Sequence, residues 1–272
     1  MKYFRHEIIN PNLIRIIDIL DNCLYLVIGE KKACLLDTGD GFGNLNEYVS
    51  QFTDLPLFVI LTHGHIDHGS GAGDFKTVYL HPNDVELFYK HCSSDFRLSR
   101  YRSDERTKMI PLQDFVPIFD GKLEMIEDEQ EFDLGGITIK MLPVFGHTFG
   151  MMVPLIKELR VAIFGDACGV GTLLFGEESP TIAEYRENLL YLKTFENEYD
   201  YIYRNHGTFH SPKELLDNVI ACTDKILSGK YQFDEVEMMG RVFKVVEPID
   251  ENGERLDGKQ GNLKFIDVSS SK

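Results

Sequence analysis

Residues 57–69 of this 272-residue chain read LFVILTHGHIDHG, an apolar run followed by three histidines and a carboxylate. The apolar run predicts a buried strand that stops where small and polar residues begin. His63 and His65 point to the same side of an extended turn, so both can bind one ion, and Asp67 and His68 follow closely enough to bind a second. Imidazole and carboxylate are ligands that zinc and similar divalent ions prefer. The alternative is a histidine-rich surface turn, which this spacing makes the weaker interpretation.

Three more motifs with a histidine or an aspartate follow downstream. They are Gly146-His147-Thr148-Phe149-Gly150, Phe164-Gly165-Asp166-Ala167 and Asn205-His206-Gly207. In this order, and together with the T-H-G-H-I-D-H-G stretch, they resemble the metal-binding motifs of the metallo-β-lactamase-fold hydrolases. The resemblance extends from Leu13 to about Ser228. It departs at Phe149, where that family usually has proline, and this change affects the wall of the pocket more than the metal site.

The resemblance implies a site for two divalent metal ions, with zinc favoured and iron or manganese as alternatives. The ligands of the first ion would be His63, His65 and His147, those of the second Asp67, His68 and His206, and Asp166 would bridge both. Asp67 and Asp166 would also be catalytic, because they could orient the bridging hydroxide and move its proton. In the same family an aspartate at the position of Asp37 supports the metal-binding histidines.

The implied activity is hydrolysis, in which a metal-bound hydroxide attacks a small-molecule ester, thioester or lactone. Two alternatives stay open: a phosphodiesterase of the same fold, and a di-iron redox or sensor protein. Asp166 argues against β-lactamase activity, because the β-lactamases of this fold lack that bridging aspartate.

The resemblance also implies an α/β fold with four layers, an αβ/βα sandwich of two mixed β-sheets with helices on the outer faces. We expect one domain over residues 1–272, with a helical insertion at about 93–117 and a C-terminal strand and loop extension at about 230–272. The residue pattern predicts strands at 13–18, 22–28, 32–36, 57–61, 78–80, 151–156, 160–164, 201–203, 241–246 and 264–268, and a hairpin at 132–142 with its turn at Gly135-Gly136. It predicts helices at 45–52, 82–91, 181–195 and 211–227, and capping boxes begin the last two.

The insertion is unusual in an acidic chain because it holds four arginines among aromatic residues. These are Arg97, Arg100, Arg102 and Arg106, with Phe96, Tyr101 and Phe115 as the aromatic neighbours. One interpretation is a lid that offers cations to an anionic substrate. The other is a structural element or dimer contact in which the arginine stems cover apolar surface. The sequence favours neither.

Three residues near the motifs are interpreted as structural. His81 is expected to make a packing or turn contact, His210 a surface or capping contact, and Cys168 a packing contact at the sheet edge.

Charge composition narrows the choice of partners. The chain has 28 lysines and arginines against 44 aspartates and glutamates, a net charge of −16. This charge repels nucleic acid and anionic membrane surfaces, so we expect a small-molecule substrate. No apolar stretch reaches the length of a membrane span or of a signal-peptide core. The five cysteines form no C-x-x-C pair, which indicates reduced thiols and a cytoplasmic protein, and a homo-oligomer stays open.

Overall fold

The strand expected before the metal-binding motif is present, and it lies inside a mixed β-sheet. The computed structural model describes residues 2–207 and 209–266. Within them, strands and helices are mixed along the chain, so the predicted α/β class is confirmed. Internal contacts divide the chain into two units, residues 1–140 and 141–272. The expectation of a single domain over residues 1–272 stays a prediction.

The first unit is built on a sheet of seven strands. They are β1 (Arg5–Asn10), β2 (Leu13–Ile17), β3 (Cys23–Ile28), β4 (Ala33–Leu36), β5 (Leu57–Ile60), β6 (Thr77–Leu80) and β7 (Lys122–Met125). Their order in the sheet follows the chain, with antiparallel pairing from β1 to β4 and parallel pairing from β4 to β7. Parallel pairing brings the carboxyl ends of β4 and β5 to one edge, so Asp37 and Thr62 follow neighbouring strands. The residue pattern does not predict β1, because most of its side chains are exposed and show no alternation.

Four short helices follow the strands of this unit. They are α1 (Leu45–Val49), α2 (Ile66–Gly69), α3 (Val85–His91) and α4 (Ser94–Arg102). Asn44 caps α1 by accepting a hydrogen bond from the Glu47 backbone N–H, and Ser93 caps α4 in the same way. Within the segment at about 93–117, residues 94–102 form α4, and turns and the 3₁₀ turn Leu112–Asp114 follow; the expectation that the segment is an insertion stays a prediction. The helix predicted at 82–91 divides into a 3₁₀ turn, Pro82–Asp84, and α3.

The core of the first unit lies against the sheet. Leu24, Leu26, Leu35 and Val59 are fully buried, and Phe88 of α3 packs with them. Burial of each such side chain stabilises the fold by roughly 1.5–3 kcal/mol. The loops at the strand ends are thus attached to a rigid layer.

The remaining strands form two further sheets. They are β8 (Glu131–Asp133), β9 (Thr138–Pro143), β10 (Met152–Ile156), β11 (Val161–Ile163), β12 (Thr172–Leu174), β13 (Tyr201–Tyr203), β14 (His210–Ser211), β15 (Asp234–Met238), β16 (Arg241–Val245) and β17 (Leu263–Phe265). One sheet has six strands in the order β14-β13-β11-β10-β9-β8. The predicted hairpin at 132–142 is present as β8 and β9. Gly135 and Gly136 form its turn with positive φ angles of 84° and 74°.

The third sheet was not part of the predicted two-sheet arrangement. It has the order β12-β17-β16-β15, and β12 pairs parallel with β17. The C-terminal extension therefore contributes β15, β16 and β17 to this sheet, and the fourth strand, β12, comes from much earlier in the chain. Local sequence patterns carry no information about such a distant pairing. The last predicted strand ends at Phe265, and positions 267 and 268 of that prediction lie outside the described residues.

Two longer helices belong to the second unit, α5 (Ile182–Lys193) and α6 (Glu214–Ser228). The capping box predicted for α5 is confirmed, because Thr181 and Glu184 bond each other's backbone N–H groups. The capping box predicted at Ser211 is wrong. Ser211 pairs with β13 as part of β14, so α6 begins at Glu214 without a side-chain cap. No helix among residues 2–207 and 209–266 is both long and apolar enough to cross a bilayer.

Candidate metal centre

His63 and His65 lie side by side in the turn between β5 and α2. His63 Nε2 is 3.0 Å from His65 Nδ1, so one nitrogen of each ring faces the other ring. His65 has extended backbone angles and immediately precedes α2. Both side chains are buried. The predicted same-side placement of the two imidazoles is therefore present.

The buried carboxylate of Asp37 contacts His68 directly and His63 through Thr62. Its Oδ2 lies 2.9 Å from His68 Nδ1, and its Oδ1 accepts the Thr62 backbone N–H at 2.7 Å. Thr62 Oγ1 in turn lies 3.1 Å from His63 Nδ1. These contacts involve the Nδ1 atoms of His63 and His68, so the Nε2 atom of each ring faces away from Thr62 and Asp37. The contact between Asp37 and His68 is the one that the supporting role requires.

The backbone around Asp37 is adapted to this contact. Asp37 has a positive φ of 65°, an uncommon conformation for a residue other than glycine. The Thr38 backbone N–H and hydroxyl both donate to the His68 carbonyl oxygen, at 2.7 and 2.8 Å. A Cβ at Gly71 would lie 2.3 Å from the Thr38 carbonyl oxygen, so only glycine allows this close approach.

Asp67 and His68 follow one another in α2. Asp67 Oδ1 is 4.0 Å from His68 Nε2, and this nitrogen is the one opposite the contact with Asp37. The Asp67 side chain is 31% exposed, whereas His68 is buried. The carboxylate thus combines access to solvent with proximity to a histidine ligand.

One histidine near this cluster has no sequence signal. His91, the last residue of α3, stacks on His65 with 5.2 Å between ring centroids and on Phe96 with 4.3 Å. Its ring therefore limits how His65 can rotate. Nothing in the local sequence around His91 indicates this contact, because it depends on how α3 packs.

In the second unit, the side chains of His147, Asp166 and His206 come together. Asp166 Oδ2 lies 3.4 Å from His147 Nε2 and 3.4 Å from His206 Nε2. His147 precedes β10, Asp166 follows β11 and His206 follows β13, so three strand ends supply the cluster. These are the three residues that the downstream sequence motifs contain, and their role as metal ligands stays a prediction.

His147 is oriented by the loop that contains β12. Its Nδ1 lies 2.7 Å from the Leu173 carbonyl oxygen, so the ring donates there and turns Nε2 toward Asp166. The Ser179 hydroxyl donates to the His147 carbonyl oxygen at 2.9 Å. Phe175 packs against the His147 ring with 5.4 Å between centroids. The ring thus has a fixed direction, with Nε2 facing Asp166.

The donor spacing in both units fits metal ligation. Two nitrogen ligands of a tetrahedral zinc ion lie about 3.3 Å apart, since each is about 2.0–2.1 Å from the metal. The nitrogen–nitrogen distance of 3.0 Å between His63 and His65 is close to this value. The 3.4 Å contacts of Asp166 are longer than charge-assisted hydrogen bonds, which span about 2.7–2.9 Å. Imidazole nitrogen and carboxylate oxygen are also the donor types that zinc, iron and manganese accept.

The residues interpreted as structural have structural contacts. His81 accepts the Asn83 backbone N–H and lies 3.3 Å from Asp128, which is a turn contact. His210 is exposed in β14 and packs against Tyr203, a surface contact without a capping role. Cys168 is fully buried in the apolar core of the second unit.

The arginines of the insertion divide into buried and exposed members. Arg97 is 3% exposed, and its guanidinium donates to the carbonyl oxygens of Val116 and Gly41. Arg102 donates to the Lys108 and Ile110 carbonyl oxygens. The lid interpretation is therefore wrong for Arg97, which is buried and whose two terminal nitrogens donate to backbone carbonyl oxygens of the first unit.

The other three arginines, Arg100, Arg102 and Arg106, are exposed, and Arg106 forms an ion pair with Asp104. The lid interpretation stays open for these three exposed arginines.

Comparison with known proteins agrees with the site. A sequence profile described as the metallo-beta-lactamase superfamily matches residues 21–204. The chain is 25% identical over 196 residues to the probable metallo-hydrolase YqgX of Bacillus subtilis. This alignment covers 67% of this chain and 83% of that protein. The chain is 27% identical over 209 residues to the hydroxyacylglutathione hydrolase GloC of Haemophilus influenzae. This second alignment covers 74% of this chain and 92% of that protein.

The fold has a counterpart among solved structures. The mono-zinc form of the metallo-beta-lactamase FIM-1 from Pseudomonas aeruginosa aligns with a TM-score of 0.60, over 83% of this chain and 96% of that one. Sequence identity is 14%, so this likeness shows the fold alone, and it confirms the predicted fold class. Because the profile matches more than half of its residues, the chain belongs to the metallo-beta-lactamase superfamily.

Proposed function

We propose that this chain is a dinuclear metal-dependent hydrolase that cleaves a small-molecule thioester. The observation that carries the proposal is the position of Asp166, whose single oxygen Oδ2 lies 3.4 Å from the Nε2 atoms of two histidines. A carboxylate that touches two imidazoles in this way is suited to bridge two ions.

The proposed ligand sets follow the family motifs. His63, His65 and His147 hold one ion, Asp67, His68 and His206 hold the other, and Asp166 contacts both. The proposal is supported by the donor groups of the chain, since each of these two triplets, and also the triplet His63, His68 and Asp166, is a set that could hold an ion. Zinc is the proposed metal because imidazole predominates among the donors.

The side chains divide the work as follows. When bound, the ions supply Lewis acidity and lower the pKa of bound water to near 7. Asp37 and the Leu173 carbonyl oxygen hold His68 and His147 in the orientation for binding. Asp67 is partly exposed, so its carboxylate can accept the proton of the attacking water and pass it to the departing thiolate.

A thioester is the proposed substrate because of the relationship to GloC, which is named for hydrolysis of hydroxyacylglutathione, itself a thioester. The net charge of −16 also favours a small molecule over nucleic acid.

The test combines metal analysis with a hydrolysis screen. Purified protein is reconstituted separately with zinc, manganese or iron, and metal content is measured before thioesters, esters, lactones and phosphodiesters are offered. We expect two ions per chain and the highest kcat/KM for a thioester. Chelation should abolish turnover and lower the melting temperature by several degrees, because ligands that bind only the folded state stabilise it.

Three results would contradict the proposal. Fewer than one ion per chain after reconstitution would exclude the dinuclear site. Preferential cleavage of phosphodiesters would replace the thioesterase assignment. Visible absorption of oxo-bridged ferric iron in freshly purified protein, without hydrolysis of any compound class, would favour the redox or sensor role.

A further inference from the structure

A buried tyrosine of the insertion reaches the segment that carries two proposed metal ligands. Tyr101, near the end of α4, is 1% exposed. Its hydroxyl donates to Asp40 Oδ1 at 2.8 Å and lies 3.4 Å from Ser70 Oγ. Ser70 directly follows α2, and α2 contains Asp67 and His68. The insertion and the ligand segment therefore meet at one hydroxyl group.

The Tyr101 ring is held in place by its neighbours. Phe42 packs edge-on against it with 4.7 Å between centroids, and Phe115 lies on another side at 6.1 Å. The Tyr101 carbonyl oxygen accepts the hydroxyl of Thr107 at 2.8 Å. Arg97 joins α4 to the loop after β4 through the Gly41 carbonyl oxygen. The hydroxyl consequently has a fixed position.

The partner Asp40 is fixed as well. Its backbone N–H donates to Asp18 Oδ2 at 3.1 Å, and the Asn22 amide donates to its Oδ2. Asp18 is itself held by the backbone N–H groups of Leu20 and Asn22, at 2.9 and 3.0 Å. A displacement of Asp40 would break several buried hydrogen bonds, so it acts as an anchor for Tyr101.

Tyr101 remains a hydrogen-bond donor at neutral pH. Burial, followed by the nearby charge of Asp40, raises the pKa of the Tyr101 hydroxyl well above its usual value. Burial, followed by the charges of Asp18 and Asp67, also raises the pKa of Asp40 well above its usual range.

The end of α2 has little space in which to move. A Cβ at Gly69 would lie 2.9 Å from Cys92 Sγ and from the Phe88 ring. Gly71 touches the Thr38 backbone, and Thr38 binds the His68 carbonyl oxygen. A small shift of Ser70 would therefore be transmitted to the ligand segment instead of being absorbed by a flexible loop.

We propose that Tyr101 is a positioning residue for one of the two metal ions. Its hydroxyl, anchored on Asp40, contacts Ser70 and thereby holds Asp67 and His68 of α2 in the geometry that this ion requires. The inference rests on the proposed dinuclear centre and deepens it, because the insertion then controls retention of one ion and need not contact substrate.

The test is a titration of metal-free protein with cobalt(II), which reports both affinity and ligand geometry through its visible spectrum. For Tyr101→Phe we expect the dissociation constant of the more weakly bound cobalt ion to rise at least tenfold and the visible bands of that ion to change. The dissociation constant of the other cobalt ion should stay within twofold of the wild-type value. Outer hydrogen-bond partners of metal ligands typically affect affinity about 10–100-fold. A purely structural role would lower the melting temperature without separating the two constants.

Tyr199→Phe is the matched control. Tyr199 is equally buried, and its hydroxyl has no hydrogen-bond partner among the described residues. Removing that hydroxyl should leave both cobalt affinities unchanged. If Tyr101→Phe does not fold, Ser70→Ala removes the other end of the same contact and should produce the same selective loss.

A double-mutant cycle adds an independent check. If Tyr101 acts through Ser70, the combined variant should lose no more affinity than the stronger single variant. If the wild type binds two ions and both cobalt dissociation constants are unchanged in each single variant, the inference about Tyr101 is overturned while the proposed function stands. Fewer than two ions in the wild type would contradict the proposed function together with this inference.

Discussion

The proposed metal ligands and the arginines of the insertion are both unusual clusters of polar residues, yet their side chains behave differently. In the first unit, a supporting contact fixes one side of a proposed ligand, as Asp37 does at His68 Nδ1. Other ring nitrogens face a neighbouring proposed ligand, as His63 Nε2 faces His65. Arg97 instead directs both terminal nitrogens of its guanidinium at backbone carbonyl oxygens. The comparison teaches that a polar cluster suits metal chemistry where its donor atoms face one another, and a structural role where they face the backbone.

The largest expected effect comes from removing the bridging carboxylate. Asp166→Ala should lower kcat by about 10²–10³-fold, comparable to the loss of another electrostatic catalytic group. It should also reduce retention of both ions. Steady-state kinetics and metal analysis measure these effects, with the exposed His210→Ala as the control. An Asp166→Ala protein with full metal content and near-normal turnover would remove Asp166 from the ligand set and weaken the comparison.

Arg97→Ala should mainly affect stability. The substitution leaves the buried Val116 carbonyl oxygen without the Arg97 donor, removes one of two donors to the Gly41 carbonyl oxygen and creates a cavity, at a cost of about 2–4 kcal/mol. Chemical denaturation measures this cost, and Arg100→Ala, which removes an exposed side chain, is the control. A change in KM at full stability would instead show that Arg97 contacts substrate.

Asp37→Ala tests whether the support of the ligands matters as much as the ligands. The variant leaves His68 Nδ1 and the Thr62 backbone N–H without their shared acceptor. We expect metal affinity to fall about 10–100-fold, or roughly 1.4–2.7 kcal/mol, as for other outer hydrogen-bond partners. Competition with a metal indicator measures the loss. Unchanged affinity would mean that the histidines are oriented by packing alone.

The smallest effects are expected for the exposed arginines. Arg100→Ala and Arg106→Ala should change the free energy of unfolding by less than about 0.5 kcal/mol, because exposed ion pairs contribute little. Their kcat/KM values should equal that of the wild type. A rise in KM with unchanged kcat in either variant would restore the lid interpretation and narrow the difference between the two clusters.

Local patterns predicted well where the physical cause is local. The box of Thr181 and Glu184 caps α5 because both partners lie within one helical turn. The similar pattern at Ser211 fails, since Ser211 pairs with Ile202 of a neighbouring strand and its backbone is not available to begin a helix. Whether Ser211 caps a helix or joins a strand depends on its pairing with β13, and the four residues of the motif carry no information about that pairing.

The sequence by itself determined the donor types, their positions after apolar strands and the mixed α/β class. These follow from side-chain chemistry and from periodicity, which neighbouring residues carry. Only the tertiary structure decided the stacking of His91 on His65, the burial of Arg97 and the parallel pairing of β12 with β17. Each of these depends on the packing of segments far apart in the chain. Such packing is set by the burial and hydrogen-bonding of whole elements, and no local pattern records it.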